Sequence, residues 1–324
     1  MQLPMPTSCA FAITYKCNSR CSMCNIWQKY EKDPQASQKE IRSDQFFAFV
    51  KKWPTITSYN IVGGEPFLSP YIEDAAMFLL VNEKNFTITT NGVLTAKISN
   101  FVERLTNFPQ QYGISISLDA LRELHDRMRG RRNFYERAMQ TIEQLIQARE
   151  NGSNIRLSIH FTLTPLNFNQ LWPIYELAKE LKLGFRFNFM AYSDFYFENK
   201  DKSMKFTETK FNTIEHQINK IIFDEQNGKT NDKLEKRHAH FRAMLAYEKD
   251  HAKNMFCTAY KTHMYLDPFG VIYPCCFLNK KVGTINDTPE VVWANEELKE
   301  FIRHDCKCNV CPHWLESVMD VLIS

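Results

Sequence analysis

The sequence lacks a long apolar run. Its longest wholly apolar stretch, Ala75–Val81, is seven residues, whereas a bilayer-spanning helix needs about 18–20, so no membrane segment is expected. Charge of one sign is also missing: 40 Lys and Arg against 37 Asp and Glu leave +3. That is too near balance to argue for a nucleic-acid partner. Met1–Cys9 has no basic stretch followed by an apolar core, so no secretory signal is expected. There is no internal repeat and no low-complexity tract. With 44% hydrophobic and 24% charged residues over 324 positions, the chain can build a real core in one large domain or two smaller ones.

One further absence is more informative. Cysteine is missing from the 232 residues between Cys24 and Cys257. All ten cysteines lie outside that span: Cys9, Cys17, Cys21 and Cys24 on one side, Cys257, Cys275, Cys276, Cys306, Cys308 and Cys311 on the other. A disulfide framework normally staples a short secreted chain. Two tight clusters in a chain of this size read instead as two metal sites.

Between the clusters two textures alternate. Short β-branched and aromatic runs at Cys9–Tyr15, Thr57–Val62, Phe86–Thr90, Gly113–Leu118, Ile155–Leu163 and Phe185–Met190 predict strands. Helical spacing predicts helices over Ser43–Trp53, Tyr71–Asn82, Thr95–Asn107, Phe134–Asn151 and Asn169–Leu181, with Ser43, Ser69 and Asn167 as candidate caps. This alternation implies an α/β fold, a parallel sheet with helices outside. Periodicity does not choose between an open sheet and most of a barrel, but either places ligands at the carboxyl ends of the strands. Asn199–Asp250 is polar and Lys-rich and reads as one or two amphipathic helices with a solvated charged face. A smaller Cys-rich unit begins near residue 256. In it Thr262–Leu266 and Val271–Tyr273 flank the turn Asp267-Pro268-Phe269-Gly270, and Val291–Ile302 reads as helix. The expected units are therefore 1–195, a helical linker 196–255, and 256–324.

Cys17, Cys21 and Cys24 form C-x3-C-x2-C directly after the first strand. Three thiolates on one loop can hold three irons of a 4Fe–4S cube and leave the fourth open for a substrate or cofactor. Structural zinc is the alternative, but zinc takes four ligands, and no fourth Cys or His is near in sequence except Cys9. Gly63-Gly64-Glu65-Pro66 ends the second strand, 39 residues after Cys24. Two glycines let a ligand approach the backbone, and Glu65 can accept from an ammonium group.

These two motifs strongly resemble the radical S-adenosylmethionine (radical SAM) enzymes. The resemblance covers roughly residues 9–191 and implies a partial (βα)6 TIM-like barrel. It implies that Cys17, Cys21 and Cys24 hold a 4Fe–4S cluster whose open iron chelates SAM. It also implies that Gly63, Gly64, Glu65 and Pro66 contact the SAM amino group. Reductive cleavage of SAM then gives a 5′-deoxyadenosyl radical that abstracts hydrogen from substrate. Thr90 and Asn91 on the third strand, and Ser117 and Asp119 on the fourth, match positions that contact the SAM carboxylate and ribose. Ordinary strand-end capping is their plain alternative. Met23 stands where the family often has an aromatic residue near adenine, and it can still cover adenine with a polarizable group. The run His125–Arg132 holds four arginines, one of which could meet an anionic group.

The second cluster resembles the twitch domain, the shortened SPASM domain of one radical SAM branch. By that resemblance Cys257, Cys275, Cys308 and Cys311 hold one auxiliary 4Fe–4S cluster, making two per chain, with zinc as the chemical alternative. Cys276 follows a ligand directly, where sulfatase-maturating relatives carry a catalytic carboxylate. A thiol there could donate a hydrogen atom, as an epimerase needs, or simply pack as a buried Cys. The expected reaction is a two-electron oxidation of a small molecule, sugar or aminocyclitol-like, as in the aminocyclitol dehydrogenase that this chain resembles. The alternative is peptide cross-linking or epimerisation of a ribosomal precursor. The barrel starts near residue 9, which leaves no room for a peptide-recognition domain and tilts the reading to the small molecule. A non-catalytic zinc scaffold is the remote third reading. Implied partners are the substrate and a low-potential electron donor such as flavodoxin or ferredoxin, with no nucleic acid and no membrane. Oxygen-sensitive clusters imply the cytoplasm.

Overall fold

The computed structural model describes residues 5–202, 204–226, 232–250, 262–294 and 296. Six strands follow the sequence expectation: β1 (Ser8–Thr14), β2 (Ser58–Gly63), β3 (Asn85–Thr90), β4 (Tyr112–Ser117), β5 (Ile155–Leu163) and β6 (Gly184–Phe189). Each pairs in parallel with the next, as Ala10 with Asn60, Ile88 with Ile114 and His160 with Arg186 show. The crossovers carry α1 (Ser43–Lys52), α2 (Ile72–Val81), α3 (Thr95–Leu105), α4 (Arg122–Arg129), α5 (Phe134–Glu150) and α6 (Leu171–Glu180).

Three short strands extend the sheet past β1: β7 (His263–Leu266), β8 (Val271–Tyr273) and β9 (Gly283–Thr284). The order is β6-β5-β4-β3-β2-β1-β7-β8-β9. The sheet is open, with β6 and β9 at its edges, so the barrel is partial. The expected Asp267–Gly270 turn is present. Asp267 Oδ1 accepts from the Phe269 and Val271 amides, at 2.9 and 2.8 Å, and Gly270 takes φ +78°. The hairpin it makes is not separate from the first unit, because β7 pairs in parallel with β1.

The strands have two unlike faces. Along β5, Ile155, Leu157, Ile159, Phe161 and Leu163 are buried, alternating with half-buried Arg156, Ser158, His160 and Thr162. The apolar face meets helix stripes at 3.6-residue spacing, such as Ile98, Phe101, Val102 and Leu105 of α3. The polar face turns inward. Residues of β1 through β7 line one cavity, so the sheet wraps around it.

The candidate caps act differently from expectation. Arg42, not Ser43, is the N-cap of α1. Ser69 Oγ accepts from the Tyr71 amide at 3.4 Å, ahead of α2, whose N-cap is Tyr71. Asn167 does not cap α6. Its Oδ1 accepts from the Thr164 amide at 2.7 Å and its Nδ2 donates to the carbonyls of Asp119 at 2.6 Å and Thr162 at 2.9 Å. It therefore fastens the end of β5 to the loop after β4. The Lys-rich stretch forms two helices, α7 (Glu208–Gln226) and α8 (Asp232–Asp250), and α9 spans Pro289–Trp293. Of the rest of the expected Val291–Ile302 helix, residues 295 and 297–302 lie outside the described residues.

Candidate active site

The Cys loop leaves β1 at Thr14 and is tied down at once. Glu40 Oε1 accepts from Thr14 Oγ1 at 2.8 Å and from the Tyr15 amide at 2.9 Å. The loop then crosses the end of β2, where Gly64 N donates to Thr14 O and Glu65 N to Lys16 O, both at 2.8 Å. This crossing explains the glycine pair. A Cβ on Gly63 would lie 2.2 Å from Thr14 O, and one on Gly64 2.3 Å from Lys16 O, and Gly63 has φ +140°. The far side of the loop is pinned by α4: Arg20 N and Ser22 N donate to the carbonyls of Arg129 and Met128 at 2.9 and 2.8 Å. Gly130 is needed there for the same reason, since a Cβ would lie 2.3 Å from Arg20 O.

So held, Cys17, Cys21 and Cys24 line one cavity of about 280 Å3, together with Met23, Gly63, Gly64, Thr90, Asn91, Ser117 and Cys276. Glu65, Pro66 and Asp119 do not line it. Glu65 is fully buried and faces the neighbouring strand end. Its carboxylate accepts from Thr90 Oγ1 at 2.7 Å and from the amides of Asn91 and Phe67 at 2.8 and 3.1 Å. Burial pushes its carboxyl up from the ordinary range, against these donors. Asn91 continues the chain of contacts, donating from Nδ2 to Asn18 Oδ1 at 2.7 Å and Ser19 Oγ at 3.1 Å. The motifs of β2 and β3 and the Cys loop thus form one hydrogen-bonded unit.

Asp119 is also fully buried. It accepts the Thr162 amide at 2.9 Å and pairs with Arg129 at 2.6 Å. Burial pushes its carboxyl up, while Arg129 pulls the other way. Burial works against the Arg129 charge, but Asp119, Cys21 and Cys17 together outweigh it and the guanidinium stays protonated. Arg129 Nη1 also reaches Cys21 Sγ at 3.8 Å. Of the Arg-rich run singled out in the sequence, Arg129 is the residue that reaches the cavity. The site also includes residues no motif marked: Ser8, Asn60, His160, Asn188, Tyr196, His263 and Tyr265. The signal for those on strands was the polar half of each alternation. His160 and His263 are pushed down to about 3 by burial, so both imidazoles are neutral.

As thiols, all three loop cysteines are raised by burial first and then, for Cys17 and Cys24, by the neighbouring Cys21. Cys17 is pushed up to about 12. Buried thiols grouped in this way suit a strongly cationic centre, which would hold them as thiolates. Among the described residues, no three His, Cys, Asp or Glu side chains converge on a single metal ion. A polynuclear cluster, in which each thiolate binds a different iron, suits three cysteines on one loop. Of the expected auxiliary ligands, Cys275 is buried beside this cavity's rim residue Cys276. Cys257, Cys308 and Cys311 lie outside the described residues.

The model of the radical SAM superfamily matches residues 11–178 and that of the SPASM iron–sulfur cluster-binding domain matches residues 257–312. The first spans more than half of the chain, which belongs to the radical SAM superfamily. That membership implies SAM and a 4Fe–4S cluster, and the SPASM match implies further iron–sulfur content. The antilisterial bacteriocin subtilosin biosynthesis protein AlbA of Bacillus subtilis is 24% identical over 88% of this chain and 58% of its own length. The sporulation killing factor maturation protein SkfB of the same species is 24% identical over 53% of this chain and 39% of its own length. The chain therefore spans less than two thirds of either relative. The structure of Streptococcus suis SuiB bound to precursor peptide SuiA matches with a TM-score of 0.66 at 18% identity, covering 96% of this chain and 70% of that one. It supports the fold. No described helix is long and apolar enough to cross a membrane.

Proposed function

We propose that this radical SAM enzyme modifies a precursor peptide. The observation that carries the reading is the convergence of Cys17, Cys21, Cys24 and Cys276 on one cavity. The relatives named for bacteriocin biosynthesis and killing-factor maturation support a peptide over the small molecule to which the start of the barrel tilted the sequence reading.

Cys17, Cys21 and Cys24 would hold three irons of the SAM-binding cluster. With SAM bound, reductive cleavage supplies the hydrogen-abstracting radical. The chain's own residues bind and orient. The Gly63 and Gly64 backbone gives close approach at the cavity wall, and Thr90, Asn91 and Ser117 offer hydrogen bonds to the polar parts of SAM. Met23, packed with Ala120, Met128 and Met190, offers an apolar cover for adenine. Glu65 and Asp119 act from behind, one fixing Thr90 and Asn91, the other fixing Arg129. Arg129, the one permanently charged lining residue among the described residues, suits the SAM carboxylate. Cys276 donates a hydrogen atom to the substrate radical, its S–H bond breaking as a C–H bond forms, and the thiyl left behind regains one electron from the low-potential donor and one proton from water. This donation favours epimerisation. Cys257, Cys275, Cys308 and Cys311 hold one auxiliary cluster, the electrons come from a donor of the flavodoxin or ferredoxin kind, and the enzyme works in the cytoplasm.

The test is anaerobic reconstitution with iron, sulfide and zinc counts, then assay of 5′-deoxyadenosine with SAM and dithionite. About eight irons, as two cubes require, and 5′-deoxyadenosine are expected. Zinc without iron, and no cleavage, overturns the reading. Epimerised peptide that disappears in Cys276→Ala while SAM is still cleaved supports the thiol's role; unchanged turnover removes it.

A further inference from the structure

Between the Cys loop and the β7–β8 hairpin lies a second buried cluster, formed by Ala12, Tyr15, Ile26, Tyr196 and Tyr265, with Cys24 and Cys276 packed against it. It contains two phenols whose oxygens are 2.7 Å apart, those of Tyr15 and Tyr265. Tyr265 is fully buried at the cavity wall, and Tyr15 sits behind it. The rings continue outward: Tyr265 lies 5.9 Å from half-buried Tyr273, and Tyr15 lies 5.8 Å from Phe269 at the surface. For packing alone, two Phe side chains would avoid the cost of desolvating two hydroxyls.

From this geometry, and resting on the radical chemistry proposed above, we infer that Tyr265, backed by Tyr15, is a hydrogen-atom donor to a radical held in the cavity. The Tyr265 O–H bond breaks and a C–H bond forms, leaving a neutral phenoxyl on Tyr265. Tyr15 then gives its hydrogen atom across the 2.7 Å contact, which restores Tyr265 and moves the phenoxyl one residue outward. Tyr15 regains one electron from the low-potential donor that serves the cluster and one proton from water. Both rings are buried, which disfavours loss of a proton or an electron alone and favours loss of a neutral hydrogen atom.

The relay can be tested with SAM as the only organic ligand. In D2O, phenol and thiol hydrogens exchange but carbon-bound hydrogens do not. The reconstituted enzyme, given SAM and dithionite, should therefore form 5′-deoxyadenosine carrying deuterium, read by mass spectrometry. Deuterium per 5′-deoxyadenosine is a ratio, so it is read whatever a variant's cleavage rate. It should fall at least fivefold when Tyr265→Phe is added to Cys276→Ala, a background in which the Cys276 thiol cannot supply deuterium. Freeze-quenched samples should show a phenoxyl spin signal that narrows with ring-deuterated tyrosine and is absent from Tyr265→Phe. Undeuterated 5′-deoxyadenosine, a ratio that Tyr265→Phe leaves unchanged in that background, or loss in Cys276→Ala alone overturns the relay while cleavage itself upholds the radical reading. Absence of 5′-deoxyadenosine from the wild type overturns both.

Discussion

Gly64 and Asp119 each carry structural work that their motifs did not mark. Gly64 lines the cavity, but its lack of a side chain is first required by the Lys16 carbonyl that crosses it. Gly64→Ala should therefore destabilise the apoprotein by about 1–3 kcal/mol, the usual cost of overpacking. Denaturant unfolding would read this, and iron uptake should fall with it because the Cys loop moves. Asp119 is buried against Arg129 rather than exposed to the cavity. Asp119→Asn leaves a buried guanidinium without its counter-charge and should cost about 3–5 kcal/mol in the same measurement. Away from the site, burial holds His240 down to about 4, below its ordinary 6.5. The folded state keeps this imidazole neutral where the unfolded chain would protonate it. Its contribution, on the order of 3 kcal/mol, is thus present in full above pH 6.5 and is lost as pH falls from 6.5 towards 4. The expected result for His240→Leu is a smaller drop in Tm between pH 7 and pH 5 than in wild type.

At the scale of elements, strands and helices were legible because their periods differ. The run Ile155–Leu163 alternates, and the buried set observed in β5 is the apolar half of that alternation. The stripe of α3 was legible in the same way. The caps were not, because a cap depends on where the preceding loop leads. Asn167 lies near the start of a helix in sequence, yet the fold presents it with the Asp119 and Thr162 carbonyls. Asn167→Ala would strand two buried carbonyls and the Thr164 amide. We expect a loss of about 1–3 kcal/mol and faster amide exchange at Thr162 and Thr164, with the iron count of the reconstituted protein retained.

For the whole molecule, the two cysteine groups make separable predictions. Replacing Cys17, Cys21 and Cys24 together with Ala should abolish 5′-deoxyadenosine formation and leave about half the iron, four per cube, on the C-terminal set. Loss of all iron would mean that the two sites do not load independently. By itself the sequence determined the strand–helix alternation, the parallel sheet, the thiol loop and the glycine pair. These are local in the chain, and each has a period or spacing that physical chemistry reads directly. Only the tertiary structure decided which polar residues share the cavity. It brought Arg129 to Cys21 and Asp119. It turned Glu65 away to hold Thr90 and Asn91. It set Tyr265 against Tyr15 across 250 residues of chain. Such contacts depend on which strands become neighbours and how the sheet wraps, and the spacing of residues along a chain carries no record of either.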